Sequence, residues 1–351
     1  MTGFVAWLWR PRKELSGWGR AIRTPFSIMA FFYGRIIRAR KRLFDTGFLK
    51  KKKLSVPVLV VGNLSAGGTG KTPLSAWLAQ RFLEKGIRPA LICRGYRGRA
   101  EGDVLVVWDG KEIQSSVEDA GEEPVWLSER LPGVPVITGK DRYRAGIKAQ
   151  ERFRPDCLIL DDGFQHLALE RDVNVVLLDS KIPLKDDSLL PRGSLREPPS
   201  ALSRAQVIVM ARAQKAAPEQ AAYLRQWNTE APVFFMRYVP QNRIPPAKSA
   251  LAFCGIGSPG YFFELCEDQG VKLVDRVVFP DHHTYKKAEL ERLEQRARDM
   301  NADFILTTEK DEIKLRHKME FSLPLLALKV EPDFFGKDDE FFNLVFKLLY
   351  S

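Results

Sequence analysis

Val58-Leu59-Val60-Val61-Gly62-Asn63-Leu64-Ser65-Ala66-Gly67-Gly68-Thr69-Gly70-Lys71-Thr72-Pro73 is the stretch on which the architecture turns. Four aliphatic residues run into a glycine-rich turn, and Lys-Thr then opens a segment with Leu74, Leu78 and Phe82 at helical spacing. Glycines let backbone N–H groups converge on an anion, and a helix N-terminus adds partial positive charge. On this reading Ser65, Ala66, Gly67, Gly68, Thr69, Gly70, Lys71 and Thr72 cradle the phosphates of a nucleotide. Lys71 reaches the β/γ-phosphates, and the Thr72 hydroxyl serves Mg²⁺. The pattern departs from G-x-x-x-x-G-K-[ST] at its first position, where Ser65 stands. A structural strand–turn–helix is the alternative.

The chain has 351 residues, 45% of them hydrophobic, enough for a full core and two units. Its net charge of +11 is concentrated: residues 1–55 hold fourteen Lys/Arg against Glu14 and Asp45, leaving the remainder near neutral. Cys93, Cys157, Cys254 and Cys266 show no C-x-x-C spacing and read as core residues in a reducing compartment. No run approaches the ~20 apolar residues needed to span a bilayer, and no secretory signal is expected.

Within residues 1–23, Phe4, Trp7, Leu8, Trp9 and Trp18 alternate with Arg10, Arg12, Lys13, Arg20 and Arg23. Thr24-Pro25 is expected to cap and open a short apolar helix of about a dozen residues through Ile37, some 18 Å long. The helix is expected to end in Arg38, Arg40, Lys41 and Arg42, and Lys50 to Lys53 follow. Such a helix can lie in a membrane interface, where each basic residue near an anionic leaflet contributes about 1 kcal/mol. Plain packing on the core is the alternative, and nucleic-acid binding a third, with no readout motif behind the charge.

From Val56 strands and helices alternate as in a parallel α/β sheet: Val56–Val61, Pro89–Cys93, Val134–Thr138, Cys157–Leu160, Val173–Leu178 and Val207–Met210, with helices over 72–85 and 122–130. A Pro- and Asn-containing linker then leads to a second set: Ala250–Cys254, a helix near 259–269, Val271–Phe279, a helix over 286–300 and Phe304–Thr307. The expected class is α/β: a P-loop NTPase-like, mostly parallel sheet with helices on both faces, a smaller C-terminal α/β domain and an N-terminal amphipathic helix. Expected boundaries are 1–55 for the arm, 56–240 for the P-loop core, 241–330 for the second domain and 331–351 for a C-terminal helix.

Asp161 and Asp162 end a buried-type strand and are followed by Gly163-Phe164-Gln165-His166. Beside a P-loop such carboxylates hold Mg²⁺, directly or through water; a solvated turn is the alternative. Arg94-Gly95-Tyr96-Arg97-Gly98 follows the second strand, where Arg and Tyr can meet phosphate or sugar, with a solvated loop as the alternative; Arg192 and Arg196, in a loop after a later strand, suit an anionic substrate group or a transition-state phosphoryl. Glu122 and Glu123 stand at a helix start, where acids often only complement the dipole. Asp281-His282-His283 lacks a third ligand for a metal and suits base chemistry better. Thr308-Glu309-Lys310-Asp311 reads equally well as a helix cap.

Taken together, these motifs resemble the tetraacyldisaccharide 4'-kinase family, the lipid A 4'-kinases. The matching pieces are 61–73, Arg-Gly-Tyr (94–96), Gly-Glu-Glu-Pro (121–124), Asp-Asp-Gly-Phe-Gln-His (161–166), Leu-Arg-Glu (195–197), Asp-His-His (281–283) and Thr-Glu-Lys-Asp (308–311). The resemblance spans nearly the whole chain, and Ser65 belongs to the form of P-loop that this family uses.

What the resemblance implies is ATP- and Mg²⁺-dependent phosphorylation of the 4'-hydroxyl of an acylated glucosamine disaccharide 1-phosphate. The reaction would give lipid IVA at the cytoplasmic face of the bacterial inner membrane. It further implies a catalytic pair at Glu122 and His282, with Lys71, Asp161 and Asp162 beside them. Arg94, Tyr96, Gln165, His166 and Arg196 are expected on the substrate, and Thr72 with Asp161 or Asp162 on the metal. The family carries Asp where this chain has Glu122. One extra methylene displaces a carboxylate by about 1 Å, enough to cost ~10²-fold unless the backbone compensates or Glu123 or Asp161 shares the role. A peripheral membrane enzyme, monomeric and without nucleic-acid partners, is expected. The rival is a membrane-associated nucleotide switch that transfers no group to a small acceptor.

Overall fold

A computed structural model describes Trp9, residues 23–96, 98–99, 104–316 and 318–351. Apart from Trp9 and Arg23, the aromatic–basic residues read in 1–23 lie outside the described residues, as does Arg97. Helix α1 (Thr24–Asp45) leads to strand β1 (Val58–Asn63), and α2 (Lys71–Glu84) follows the glycine-rich turn. Then come β2 (Pro89–Cys93), β3 (Leu105–Trp108), a single turn α3 (Val117–Ala120), α4 (Glu122–Arg130), β4 (Val136–Thr138), α5 (Arg142–Phe153) and β5 (Cys157–Asp161). Strands β6 (Val173–Asp179) and β7 (Val207–Ala211), helix α6 (Pro218–Leu224) and strand β8 (Val233–Pro240) complete this part.

The sheet order is β13-β8-β7-β6-β1-β5-β2-β4-β3, where β13 (Val330–Asp333) is a late strand at one edge. Strand β1 lies between β5 and β6, parallel to both, in register Val61 to Asp161 and Gly62 to Val176. A parallel strand covered on both faces reads as a nearly continuous apolar run, and every residue of β1, β5 and β6 is buried, the polar ones falling mostly at the carboxyl ends. All the P-loop-side strands therefore end on one edge, where parallel α/β sheets bind ligands.

The chain divides into two compact units. One comprises the residues up to Arg237 together with Asp333–Ser351; the other is Tyr238–Pro332. In the second, β9 (Ser249–Cys254), α7 (Pro259–Asp268), β10 (Lys272–Val278), α8 (Lys287–Asp299), β11 (Phe304–Thr308), α9 (Glu309–Leu315) and β12 (Leu325–Leu328) form a four-stranded sheet, ordered β10-β9-β11-β12 and parallel throughout. Its core holds Leu251, Phe253, Tyr285, Leu290, Leu293 and Ile305. The C-terminal helix α10 (Asp338–Tyr350) rejoins the first unit, where Phe341 and Phe342 pack against Trp77, and Phe342 and Phe346 against Phe82.

Several local expectations change. Helix α1 has 22 residues, about 33 Å, because Arg38, Arg40, Lys41 and Arg42 are good helix formers and carry it past Ile37. Thr24 is its first residue rather than its cap; the preceding Arg23 makes no side-chain capping bond. Strand β3, antiparallel to β4, and helix α5 were not expected from the sequence. No helix among the described residues is long and apolar enough to cross a membrane. All four cysteines are buried free thiols.

Candidate active site at the carboxyl edge of the sheet

Gly70 enters α2 in the left-handed region (φ +84°), which turns the chain sharply enough for Lys71 and Thr72 to open the helix. Asn63 Nδ2 donates to Thr69 Oγ1 at 3.0 Å and ties the two ends of the turn. The backbone of the 187–197 loop braces the turn: Ala66 N donates to Ser194 O at 2.7 Å, and Arg196 N to Leu64 O at 2.7 Å.

Asp161, at the end of β5, is 2% exposed. It accepts hydroxyl hydrogen bonds from Thr72 (2.9 Å) and Ser75 (2.8 Å), one on each carboxylate oxygen. Burial, with the charges of Glu123 and Asp162, pushes its pKa up to about 6, against the opposing pull of Lys71 and Ser75. Asp162 is the opposite case. Burial works to raise its pKa too, but Lys71 and Arg196 outweigh it and hold the carboxyl well below the usual range. Lys71 Nζ stands 3.5 Å from Asp162 Oδ1, and Arg196 Nη1 reaches both oxygens at 3.1 and 3.0 Å. Asp162 has φ +51°, a left-handed conformation costly for a non-glycine residue and frequent at functional sites.

Gln165 Nε2 donates to Asn63 O at 2.8 Å, so its amide reaches the P-loop strand. Burial and the nearby Arg142 cation lower the His166 pKa to about 4, which keeps the imidazole neutral at ordinary pH. Gly62 allows close approach here: a Cβ on it would fall 2.5 Å from that of Phe164.

Arg94 and Tyr96 follow β2, with the Arg94 guanidinium 5.7 Å from the Tyr96 ring centre. Their loop is packed backbone to backbone on the one before α4. A Cβ at Gly121 (φ +90°) would lie 2.6 Å from Tyr96 O, and Arg99 N donates to Glu118 O at 2.8 Å. Glu122 and Glu123 open α4 directly after Gly121. Lys71, Thr72, Asp161, Asp162 and Arg196 are thus joined by direct contacts or as chain neighbours, Gln165 is tied through Asn63 to Thr69 of the glycine-rich turn, and Arg94, Tyr96 and Glu122 form a neighbouring group. His282 belongs to the other unit. Its backbone is left-handed (φ +59°), its amide donates to Gly255 O at 3.1 Å, and Asp281 Oδ1 lies 3.9 Å from its Nε2.

Sequence reasoning missed Arg142. It is 4% exposed, donates through Nη1 to Gly139 O, and adds its charge to both Asp161 and Asp162. An available signal was a cation in the first turn of a helix, against the dipole. Ser75 was missed as well; one helical turn after Thr72, it lies on the same face. Among the described residues no cluster of three or more His, Cys, Asp or Glu could hold a metal alone. Mg²⁺ needs no such cage, since it keeps several waters and leans on substrate phosphates.

Comparison with known proteins bears on the same constellation. Residues 22–350 match the family LpxK, tetraacyldisaccharide-1-P 4'-kinase. A tetraacyldisaccharide 4'-kinase of Geobacter metallireducens is 40% identical over 302 residues, covering 84% of this chain and 89% of that one. One of Geobacter sulfurreducens is 37% identical over 339 residues, 94% of each chain. The crystal structure of LpxK from Aquifex aeolicus in complex with ATP superposes with a TM-score of 0.73 at 33% identity, over 94% of this chain and 100% of that one.

Proposed function

Because this chain belongs to the tetraacyldisaccharide-1-P 4'-kinase family, and is on that ground an ATP-using kinase of lipid A biosynthesis, we propose that it phosphorylates the 4'-hydroxyl of a tetraacylated glucosamine disaccharide 1-phosphate at a cytoplasmic membrane face. The observation that carries the reading is the pair of contacts at the ends of β1 and β5: Thr72 on Asp161, and Lys71 with Arg196 on Asp162. They bring a P-loop cation, a hydroxyl and two carboxylates to one sheet edge.

The oxygen donors of Thr72 and Asp161 suit Mg²⁺; burial first, and then the like charge of Glu123 and Asp162, raise the Asp161 pKa, and a divalent cation would offset both. When bound, the ion neutralises charge on the ATP phosphates. Residues 65–72 cradle those phosphates through backbone N–H groups. Lys71 turns from Asp162 to the β/γ-oxygens, and Arg196 or Arg94 stabilises charge on the transferring phosphoryl. Glu122 takes the proton of the 4'-hydroxyl as the new O–P bond forms and the bond from the γ-phosphorus to the β,γ-bridging oxygen breaks, releasing ADP. His282 assists as the second catalytic group, and Tyr96, Gln165 and His166 contact the sugar or its phosphate.

Helix α1 supports a membrane-surface substrate. Ala30 and Gly34 are buried, while Ile28, Met29, Phe31, Phe32 and Ile36 on the other side are each more than half exposed. An interfacial helix lays such a face into the headgroup region.

The test is incubation with γ-labelled ATP, Mg²⁺ and the acylated disaccharide 1-phosphate in detergent micelles. Label moving to the lipid, and lost in Lys71→Ala, is the expected result. Label appearing only as inorganic phosphate, whatever the lipid, would favour a nucleotide switch.

A further inference from the structure

The Thr-Thr-Glu-Lys-Asp stretch at the end of β11 has no part in the chemistry above, yet the side chains of Thr307 and Asp311 both reach one distant stretch of backbone, at the end of β9. Thr307 Oγ1 donates to Phe253 O at 2.9 Å, tying β11 to the end of β9. Thr308 caps α9, accepting from Asp311 N at 3.2 Å while its hydroxyl donates to Asp311 Oδ2 at 2.8 Å. Asp311 is completely buried. Its Oδ1 takes Lys314 Nζ at 3.0 Å, and its Oδ2 takes the N–H of Gly255 at 2.9 Å. Gly255 O in turn accepts the N–H of His282 at 3.1 Å.

Two features make this a device for geometry. A buried ion pair is poor value for stability, since desolvation offsets its Coulomb gain. The ion pair also holds backbone: the first amide of Gly255-Ile256-Gly257 is taken by Asp311. A Cβ on Gly255 would meet Tyr285 Oη at 3.0 Å, Pro280 O at 3.1 Å and Asp311 Oδ1 at 3.3 Å. His282, held left-handed, keeps that conformation only while its surroundings over-determine it.

We propose that Asp311, clamped by Thr308 and Lys314, is a positioning residue for His282, acting through the Gly255 peptide. The inference rests on the catalytic role given to His282, and its test separates the two.

In the full-length enzyme, Asp311→Asn lowers kcat by about 10–100-fold, the scale set by a small misplacement of a reacting group, with KM for ATP and lipid within about twofold. Combined with His282→Ala it adds nothing to the loss of His282→Ala alone. Thr308→Val reproduces the effect should Asp311→Asn fail to fold, and Thr308→Ser restores what Thr308→Val loses. The imidazole Cε1–H resonance of His282, identified by its disappearance in His282→Ala, shifts in Asp311→Asn and Thr308→Val. A lowered kcat in His282→Ala with multiplicative loss in the double variant overturns this inference alone, as does a His282 resonance unmoved by either variant. An unchanged kcat in His282→Ala overturns the role of His282 and this inference with it.

Discussion

Asp161 and Asp162 are adjacent in sequence and opposite in ionisation. Burial and the neighbouring carboxylates Glu123 and Asp162 raise the Asp161 pKa to about 6, against the pull of Lys71 and the Ser75 hydroxyl; Asp162 is buried too, but faces two cations and stays ionised. The folded protein therefore keeps a proton on Asp161, between about pH 4 and pH 6, that the unfolded chain has given up near its ordinary pKa of about 3.9. Stability falls as pH rises through that window, and the full cost, roughly 3 kcal/mol as an upper figure, is present above it. Asp161→Asn should then raise the melting temperature of the ligand-free protein at pH 7–8 and leave it nearly unchanged at pH 4, which melts across a pH series would reveal. The same variant should lose activity, and wild-type kcat/KM should fall as pH drops below about 6. Both carboxylates were legible because they end an apolar run. Arg142 offered only the weak signal of a cation opening a helix, and the reach of Glu123 to Asp161 offered none, since both depend on how separate helices pack.

Among elements, α1 departs furthest from expectation. An apolar run suggested a short helix, whereas the basic residues beyond it extend the helix to Asp45. One side is docked: Tyr33 Oη donates to Arg196 O at 2.8 Å, Arg40 to Gln165 O at 3.3 Å, and Gly34 lies against Leu189. The other carries Phe31 and Phe32, 59% and 60% exposed. Burying a phenylalanine is worth about 1.5–3 kcal/mol, so Phe31→Ser/Phe32→Ser should weaken partitioning onto anionic vesicles by ~10²-fold or more. Co-sedimentation measures this, and equal binding by both proteins would argue against an interfacial α1. Strands β2, β5, β6 and β7 were readable almost to the residue, and β1 to within two, because a strand buried on both faces leaves a continuous aliphatic run. The short antiparallel edge strand β3, four residues in length, leaves no such run.

At the scale of the molecule, composition and strand–helix alternation made the P-loop sheet and a second α/β unit legible. The return of Asp333–Ser351 to the first unit was not, because a helix's apolar face does not say which core it covers. Phe341 is fully buried, stacked on Phe334 with ring centres 4.1 Å apart. Phe341→Ala should cost about 3–5 kcal/mol, measurable by denaturant titration, and the loss belongs to the nucleotide-binding unit although the residue lies more than 250 positions after the P-loop. This discontinuity also bears on synthesis. Tyr238–Pro332 is made in one uninterrupted piece and can condense as soon as it leaves the ribosome. The nucleotide-binding unit begins earlier but waits, with Trp77 and Phe82 uncovered, until the α10 segment emerges. The part of the chain translated first is thus completed last, and a nascent chain stalled before α10 would present that aromatic surface to chaperones.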